Sequence, residues 1–428
     1  MLTIFATSSG IYSPLARMSH AGVVNVITKR RKQMEKRRLV GLWSILVVLT
    51  FLANTTLAAD PIRLGLLLDT TGFLEYYAKE CARGFELGIK YATQGTNAVQ
   101  GRPIQVLKED TQLNAQVARQ KAQKLLDKDK VHFLVGAISS PITLGFQPLA
   151  EEFKTPLIVP GATASSITGS NFNRYTFRVN RNNMQDAVAW GVALGQKGKK
   201  IAIFAEDTAG AREGMEALKK VVQPRGAEVV HEIYAPLATT DFTPLLQKVI
   251  AAKPEICTLW WAGANSPWKQ MVDAFRPAGV KISSSILDLP TLVMYKDGID
   301  LLTDLMGFYY YEWHNNDINR WFIKEYQALY KSPPSYSTEA GMAAAILTIE
   351  GLKKTGGKTD PDSLIRAMEG LKFDTAKGQR TIRPEDHQAL QEMYVLHLET
   401  KAGYVWPVPI LDKVVSATES APPILVKR

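Results

Sequence analysis

Residues 155–168 read TPLIVPGATASSIT. The run to Val159 is apolar and short, as in a strand covered on both faces, and Pro160-Gly161 ends it. Ala162, Thr163, Ala164, Ser165, Ser166 and Thr168 then bring small side chains and hydroxyls. Such a segment is either a solvated connection or a row of hydrogen-bond donors at the end of a strand. The choice depends on whether the flanking sequence builds a parallel sheet.

It does. Upstream, IRLGLLL (62–68), PIQVL (103–107) and VHFLVG (131–136) have the same buried-strand pattern. Between them, Tyr77, Cys81, Phe85, Ile89 and Ala92 fall at helical spacing, Asn114 can cap a helix running to about Asp127, and another helix covers about Thr143 to Phe153. Alternating strands and helices predict a parallel sheet with right-handed crossovers. The alternation begins again at KIAIFAED (200–207), AEVVHEIY (227–234), EICTLWWAG (255–263), KISSSILD (281–288) and LMGFYYY (305–311), with helices at about 210–222 and 244–252. Helices near 318–330, 337–354 and 364–371 follow, and EMYVLHLE (392–399) reads as the last strand. The expected fold class is therefore α/β, with two Rossmann-like lobes.

The 428 residues are enough for two full cores, and 46% hydrophobic content is that of a globular chain. The net charge of +10 is unevenly placed: residues 1–58 carry eight basic residues and one acid, which leaves the rest at +3. So balanced a body gives no electrostatic case for nucleic acid. The basic cluster precedes LVGLWSILVVLTFL (39–52), 14 uncharged residues, too short for a comfortable membrane span and right for the apolar region of a secretory signal peptide. TTLAAD offers cleavage after Ala58 or Ala59, Met34 reads as the start of a signal peptide of ordinary length, and residues 1–33 read as an upstream extension. Cys81 and Cys257 lie among apolar neighbours and read as small buried hydrophobes.

In open parallel sheets ligands bind beyond the carboxyl ends of the strands. Those ends carry DTTGFLEYY, GAISSP, PGATASS, AEDTAG, AGANSP and LDLP, and five of the six contain Ser, Thr or Asn. Each could be a helix cap, but together they line one sheet edge, where hydroxyls and free helix-start amides suit a carboxylate. Catalytic patterns are missing: DTTGFL stands where a dinucleotide fingerprint would be, no P-loop occurs, and GAISSP is no nucleophile elbow. No metal-ligand spacing and no cofactor motif is found. Asp69, Asp207 and Asp288 end strands and could serve an exported α/β enzyme as acid or base.

The stretches GAISSP, PGATASSIT, YTFRVNRNN and DFTPLL give a chain that resembles type I periplasmic solute-binding proteins of ABC importers, in the leucine/isoleucine/valine-binding branch, over about residues 60–400. The resemblance implies two lobes joined by a three-stranded hinge around a ligand cleft, with crossings near 179–182, 309–313 and 386–391. It divides the chain into an extension and signal peptide (1–58), lobe 1 (59–180 and 311–388) and lobe 2 (181–310 and 389–428). It implies a periplasmic, non-catalytic, monomeric protein that binds a small amino acid or related carboxylate or amide and hands it to a membrane permease with its ATPase subunits. By position it puts the ligand carboxylate against Ser140, Ala162 and Thr163, an aromatic over the ligand at Tyr77 and an acid for an ammonium at Asp288; Ser139 and Gly161 in the same loops and Asp207 at its strand end are further candidate ligand contacts. The sequence departs from the family at AEDTAGAREG, which lacks the usual tyrosine, and at AGANS, which lacks an aromatic. Trp260, Trp261, Tyr309, Tyr310, Tyr311 and Trp313 lie near the crossings. An aromatic acid is therefore an alternative ligand, and a sensing subunit an alternative role.

Overall fold

The computed structural model describes residues 28–35, 60–262, 265–286 and 288–426. Two units are separate, one ending at Ala59 and one beginning at Asp60. In the first, an exposed helix, α1 (residues 28–35), is described. The apolar run 39–52 and the cleavage positions Ala58 and Ala59 lie outside the described residues. No described helix is long and apolar enough to cross a membrane.

The second unit begins with β1 (Ile62–Leu68), buried throughout except for Arg63, and α2 (Glu75–Ala92). Then come β2 (Ala98–Val99), β3 (Arg102–Asp110), α3 (Ala115–Gln123), capped by the Asn114 side chain as its sequence predicts, β4 (Phe133–Val135), α4 (Ser140–Glu152), β5 (Leu157–Val159) and β6 (Thr176–Arg178). These strands form a sheet in the order β2-β3-β1-β4-β5-β6, parallel apart from the β2–β3 hairpin.

The chain then leaves for a second sheet. Its elements are α5 (Asn183–Leu194), β7 (Lys200–Glu206), α6 (Ala209–Val222), β8 (Glu228–Ala235), α7 (Thr243–Ala251), β9 (Ile256–Trp260), α8 (Trp268–Ala278), β10 (Lys281–Ile286), α9 (Leu289–Tyr295) and β11 (Leu305–Gly307). It returns through α10 (Asp317–Tyr330), α11 (Tyr336–Lys354) and α12 (Pro361–Met368) and a small antiparallel sheet of β12 (Lys372–Thr375), β13 (Gly378–Ile382) and β14 (Ala389–Leu390). It ends on β15 (Met393–Glu399) and β16 (Val408–Val415), which extend the second sheet to β16-β15-β11-β10-β9-β7-β8. The α/β class and the two parallel-sheet lobes are as expected, with an antiparallel pair, β15 and β16, added to the second sheet.

Two features differ from the sequence reading. The strand expected over 305–311 stops at Gly307, and Phe308, Tyr309 and Tyr310 are buried in irregular backbone. EMYVLHLE is not the last strand: β16 follows it. Pro409 and exposed Asp412, Lys413 and Val414 make β16 look like a tail, yet an edge strand tolerates them.

Strand order fixes where a ligand can go. In the first sheet β1 lies between β3 and β4, so the connections after β1 and β4 part to opposite faces; in the second, β7 lies between β8 and β9 and does the same. A crevice opens at each such point beyond the carboxyl ends of the strands.

Candidate functional site

A cavity of about 250 Å³ occupies these two crevices. The connection after β1 contributes Phe73 and Tyr77, the one after β4 Ser139 and Ser140, the one after β7 Glu206 and Thr208, and the end of β9 Trp260 and Trp261. Gly161 and Thr163, from the stretch after β5, complete the first-lobe wall.

That wall is held from behind. Asp69, the residue after β1, is fully buried, and its Oδ2 accepts the Ile138 and Ser139 amides at 2.8 Å each while Oδ1 accepts the Thr111 hydroxyl. Burial pushes its carboxyl above the usual range, and the three donors oppose that shift. Asp69 therefore fixes the turn that presents Ser139 and Ser140 and has no exposed face for catalysis. Ser140 Oγ accepts the amides of Thr163 at 3.2 Å and Ala164 at 3.1 Å. A hydroxyl has two acceptor sites and one hydrogen, so Ser140 is left as a donor. Gly161 is required by packing: a Cβ there would lie 2.5 Å from Ile138 Cδ1 and 3.1 Å from Ile138 Cα.

The structure brings five of the sequence-predicted residues to the cavity: Tyr77, Ser139, Ser140, Gly161 and Thr163. Three are placed elsewhere. Ala162 is buried, its amide donates to Ala137 O at 3.2 Å and its carbonyl accepts Arg178 Nη1 at 3.0 Å, so it is not an open ligand amide. Asp207 does not line the cavity; it is exposed and pairs with Arg212 Nε at 2.7 Å, which holds its carboxyl below the usual range. Asp288 caps α9 by accepting the Thr291 amide at 2.8 Å, is buried, and does not line the cavity. Burial raises the Asp288 carboxyl, and burial followed by Asp288 raises the Tyr77 phenol. The acid expected to meet an ammonium is thus engaged by the protein.

Sequence reasoning missed two charged residues of the cavity. Glu206, the last residue of β7, accepts the Ala262 amide at 2.6 Å and the Thr208 hydroxyl at 3.2 Å. Arg181 donates to Asp186 Oδ2 at 2.6 Å, and its guanidinium lies 3.6 Å from the Phe308 ring centre and 5.0 Å from that of Tyr336. Burial, opposed by Arg181, pushes the Asp186 carboxyl up to about 6. The signal for Glu206 was its place at the end of a strand next to the switch in strand order, which only the sheet order reveals.

The arrangement shows, among the described residues, no paired acid and base at a nucleophile. Among the described residues no group of three His, Cys, Asp or Glu could hold a metal ion, and Cys81 and Cys257 are free and buried, with thiols raised by burial.

A family model described as periplasmic binding protein matches residues 61–403. A Leu/Ile/Val-binding protein homolog 6 from Brucella suis is 26% identical over 373 residues, 82% of this chain and 92% of the relative. A solved structure of an ABC-type branched-chain amino acid transporter from Rhodopseudomonas palustris is 36% identical with a TM-score of 0.76, covering 86% of this chain and 100% of the other. The solute-binding protein of an ABC transporter from R. palustris BisB5, in complex with 3,4-dihydroxybenzoic acid, is 27% identical with a TM-score of 0.73, covering 84% of this chain and 98% of the other.

Proposed function

This chain belongs to the periplasmic binding protein family, and as a solute-binding component of an ABC transporter we propose that it takes up a small aromatic carboxylate between its two lobes. The observation that carries this reading is the make-up of the cavity: hydroxyl donors of Ser139, Ser140 and Thr163 on one wall, and the rings of Phe73, Tyr77, Trp260 and Trp261 around it. Hydroxyls directed at an anion in a cleft closed from water hold a carboxylate, and flat aromatic walls favour a planar body. The complex of the R. palustris BisB5 protein with an aromatic acid supports the same class.

A branched-chain amino acid is the second reading, favoured by the described specificity of the R. palustris and Brucella relatives. It needs an acid to meet the ammonium: Asp288 caps α9 through the Thr291 amide and does not line the cavity, so that role would fall to Glu206, which does. A thermal-shift and calorimetric screen of benzoates against leucine, isoleucine and valine separates the two: the benzoates are expected to bind, and binding of the amino acids alone would replace this reading with the second.

In this role the protein is a monomer without turnover that delivers its ligand to a permease with ATPase subunits, as members of the family do. Export through the signal peptide read at 34–58 would leave a mature chain starting at Ala59 or Asp60. N-terminal sequencing of protein recovered from its host tests that, and an intact Met1 or Met34 would refute it.

A further inference from the structure

We propose that Arg181 is the charged donor of the site: its guanidinium shares the ligand's carboxylate with the hydroxyls of Ser140 and Thr163. This rests on the reading that the ligand is a carboxylate, whether an aromatic acid or an amino acid, and adds the cation that the hydroxyl wall lacks.

Arg181 is the one basic residue among the described residues that line the cavity, and its side chain is 6% exposed. Nη1 donates to Asp186. Nε is buried without a partner, and among the described residues Nη2 meets no acceptor. The guanidinium carbon lies 3.6 Å from the centre of the Phe308 ring and 5.0 Å from that of Tyr336. Aromatic rings attract the flat face of a guanidinium, whereas its N–H groups point outward in its plane. The rings therefore fix Arg181 without filling its donors. A desolvated cation with unfilled donors costs free energy until an acceptor arrives.

The chain on either side of Arg181 places it beside the loop that carries Thr163. Asn180 Nδ2 donates to the Pro160 carbonyl at 2.9 Å, and the Asn183 amide donates to the Thr163 carbonyl at 2.9 Å. Residues 180 and 183 thus clasp the 160–163 turn, and Arg181 stands between them. The charge around the turn points the same way. Asp186 offsets Arg181, but Arg178 behind the loop is fully buried and donates only to neutral oxygens, the carbonyls of Ala162 and Ala164 and the Thr168 hydroxyl. One positive charge next to the Thr163 loop is therefore left without an acid. Hydroxyls alone cannot balance an anion withdrawn from water; a guanidinium backed by a second buried cation can.

The test is calorimetric titration of two acid and amide pairs, benzoic acid with benzamide and leucine with leucinamide, into the wild type, Arg181→Gln and the double variant Arg181→Gln with Asp186→Asn. The double variant removes the ion pair as a unit and leaves no buried charge behind. Arg174→Gln is the control, because the exposed Arg174 side chain pairs with Asp362 and does not line the cavity. Loss of a hydrogen bond to a charged group predicts that the acid that binds is weakened roughly 10- to 150-fold in both Arg181 variants, while its amide stays within about threefold of the wild type. The acid-to-amide ratio should not change in Arg174→Gln. A merely structural role would weaken acid and amide alike, and a ratio preserved in the Arg181 variants would overturn the proposal while leaving the carboxylate reading standing. A wild type that binds neither acid, or binds an amide as tightly as its acid, would remove both. Should neither Arg181 variant fold, Asp186→Asn decides: with Nη1 freed from its acid, the ratio should rise by at least about threefold, and an unchanged or lower ratio would overturn the role of Arg181.

Discussion

At Thr163 the backbone and the side chain do different work. The amide donates to Ser140 Oγ and the carbonyl accepts the Asn183 amide at 2.9 Å, so the loop is pinned from both sides while the side chain faces the cavity. Thr163→Val keeps that shape and removes the hydroxyl. Loss of one hydrogen bond to a charged group costs about 1.5–3 kcal/mol, so affinity for the carboxylate should fall roughly 10- to 150-fold by calorimetry, with little change in melting temperature. Asp186 gives a pH signature. Its carboxyl is raised to about 6 in the folded chain from an ordinary 3.8. A raised acid is a stabilising influence below the ordinary value that is lost as pH rises through 6, a change on the order of 3 kcal/mol. Between about pH 4 and pH 6 the unfolding free energy of Asp186→Asn should therefore fall less with rising pH than that of the wild type; denaturant titrations with parallel pH slopes would contradict this. The acids also show how far the sequence can be read at this scale. Glu206 and Asp207 are neighbours at the end of one strand, and in a strand buried on both faces no alternation tells which of them turns into the cleft. The cap made by Asp288 was legible as a possibility, but its electrostatic effect on the Tyr77 phenol links residues more than two hundred positions apart. Arg181 gave no signal, because its partners Asp186, Phe308 and Tyr336 come from three segments.

The strands and helices nearest the site were legible because β1, β4 and β5 are short apolar runs with hydroxyl or glycine ends, and because Asn114 caps α3 in the expected way. What the pattern could not give was the pairing of α2 with α11. Every residue of α11 except Glu350, Lys353 and Lys354 is buried, so it has no amphipathic stripe to orient it. The two helices touch backbone to backbone at glycines. A Cβ on Gly84 would lie 1.7 Å from the Thr338 carbonyl oxygen, and one on Gly341 would lie 1.9 Å from the Cys81 carbonyl oxygen. Neither obstacle is a side chain that can swing away. Gly84→Ala is expected to cost about 3 kcal/mol or more, the upper end of overpacking, read as a lower denaturation midpoint. A midpoint within error of the wild type would mean that the helices separate easily. β16 and the β12–β14 sheet were missed for a related reason: two- to five-residue strands and a proline-bearing edge carry too little periodicity to stand out from loops.

At the scale of the whole molecule, the Ser165 amide donates to Glu213 on α6 and so joins the two lobes beside the cavity. Ser165 follows the Thr163 loop directly, so the segment that would hold the carboxylate also meets the second lobe. On the proposed reading, ligand binding and lobe closure are coupled, the ligand replacing cleft water and adding contacts to both walls. The central claim is that the group recognised is a carboxylate. The most direct measurement is calorimetric titration of the wild type with matched acid and primary-amide pairs, benzoic acid with benzamide, 4-hydroxybenzoic acid with its amide and leucine with leucinamide, with small-angle scattering on the saturated samples. The account predicts one site per chain for an acid of the set, a smaller radius of gyration on saturation, and an amide at least tenfold weaker than its acid. An amide that binds as tightly as its acid, or a set from which no acid binds, would contradict it.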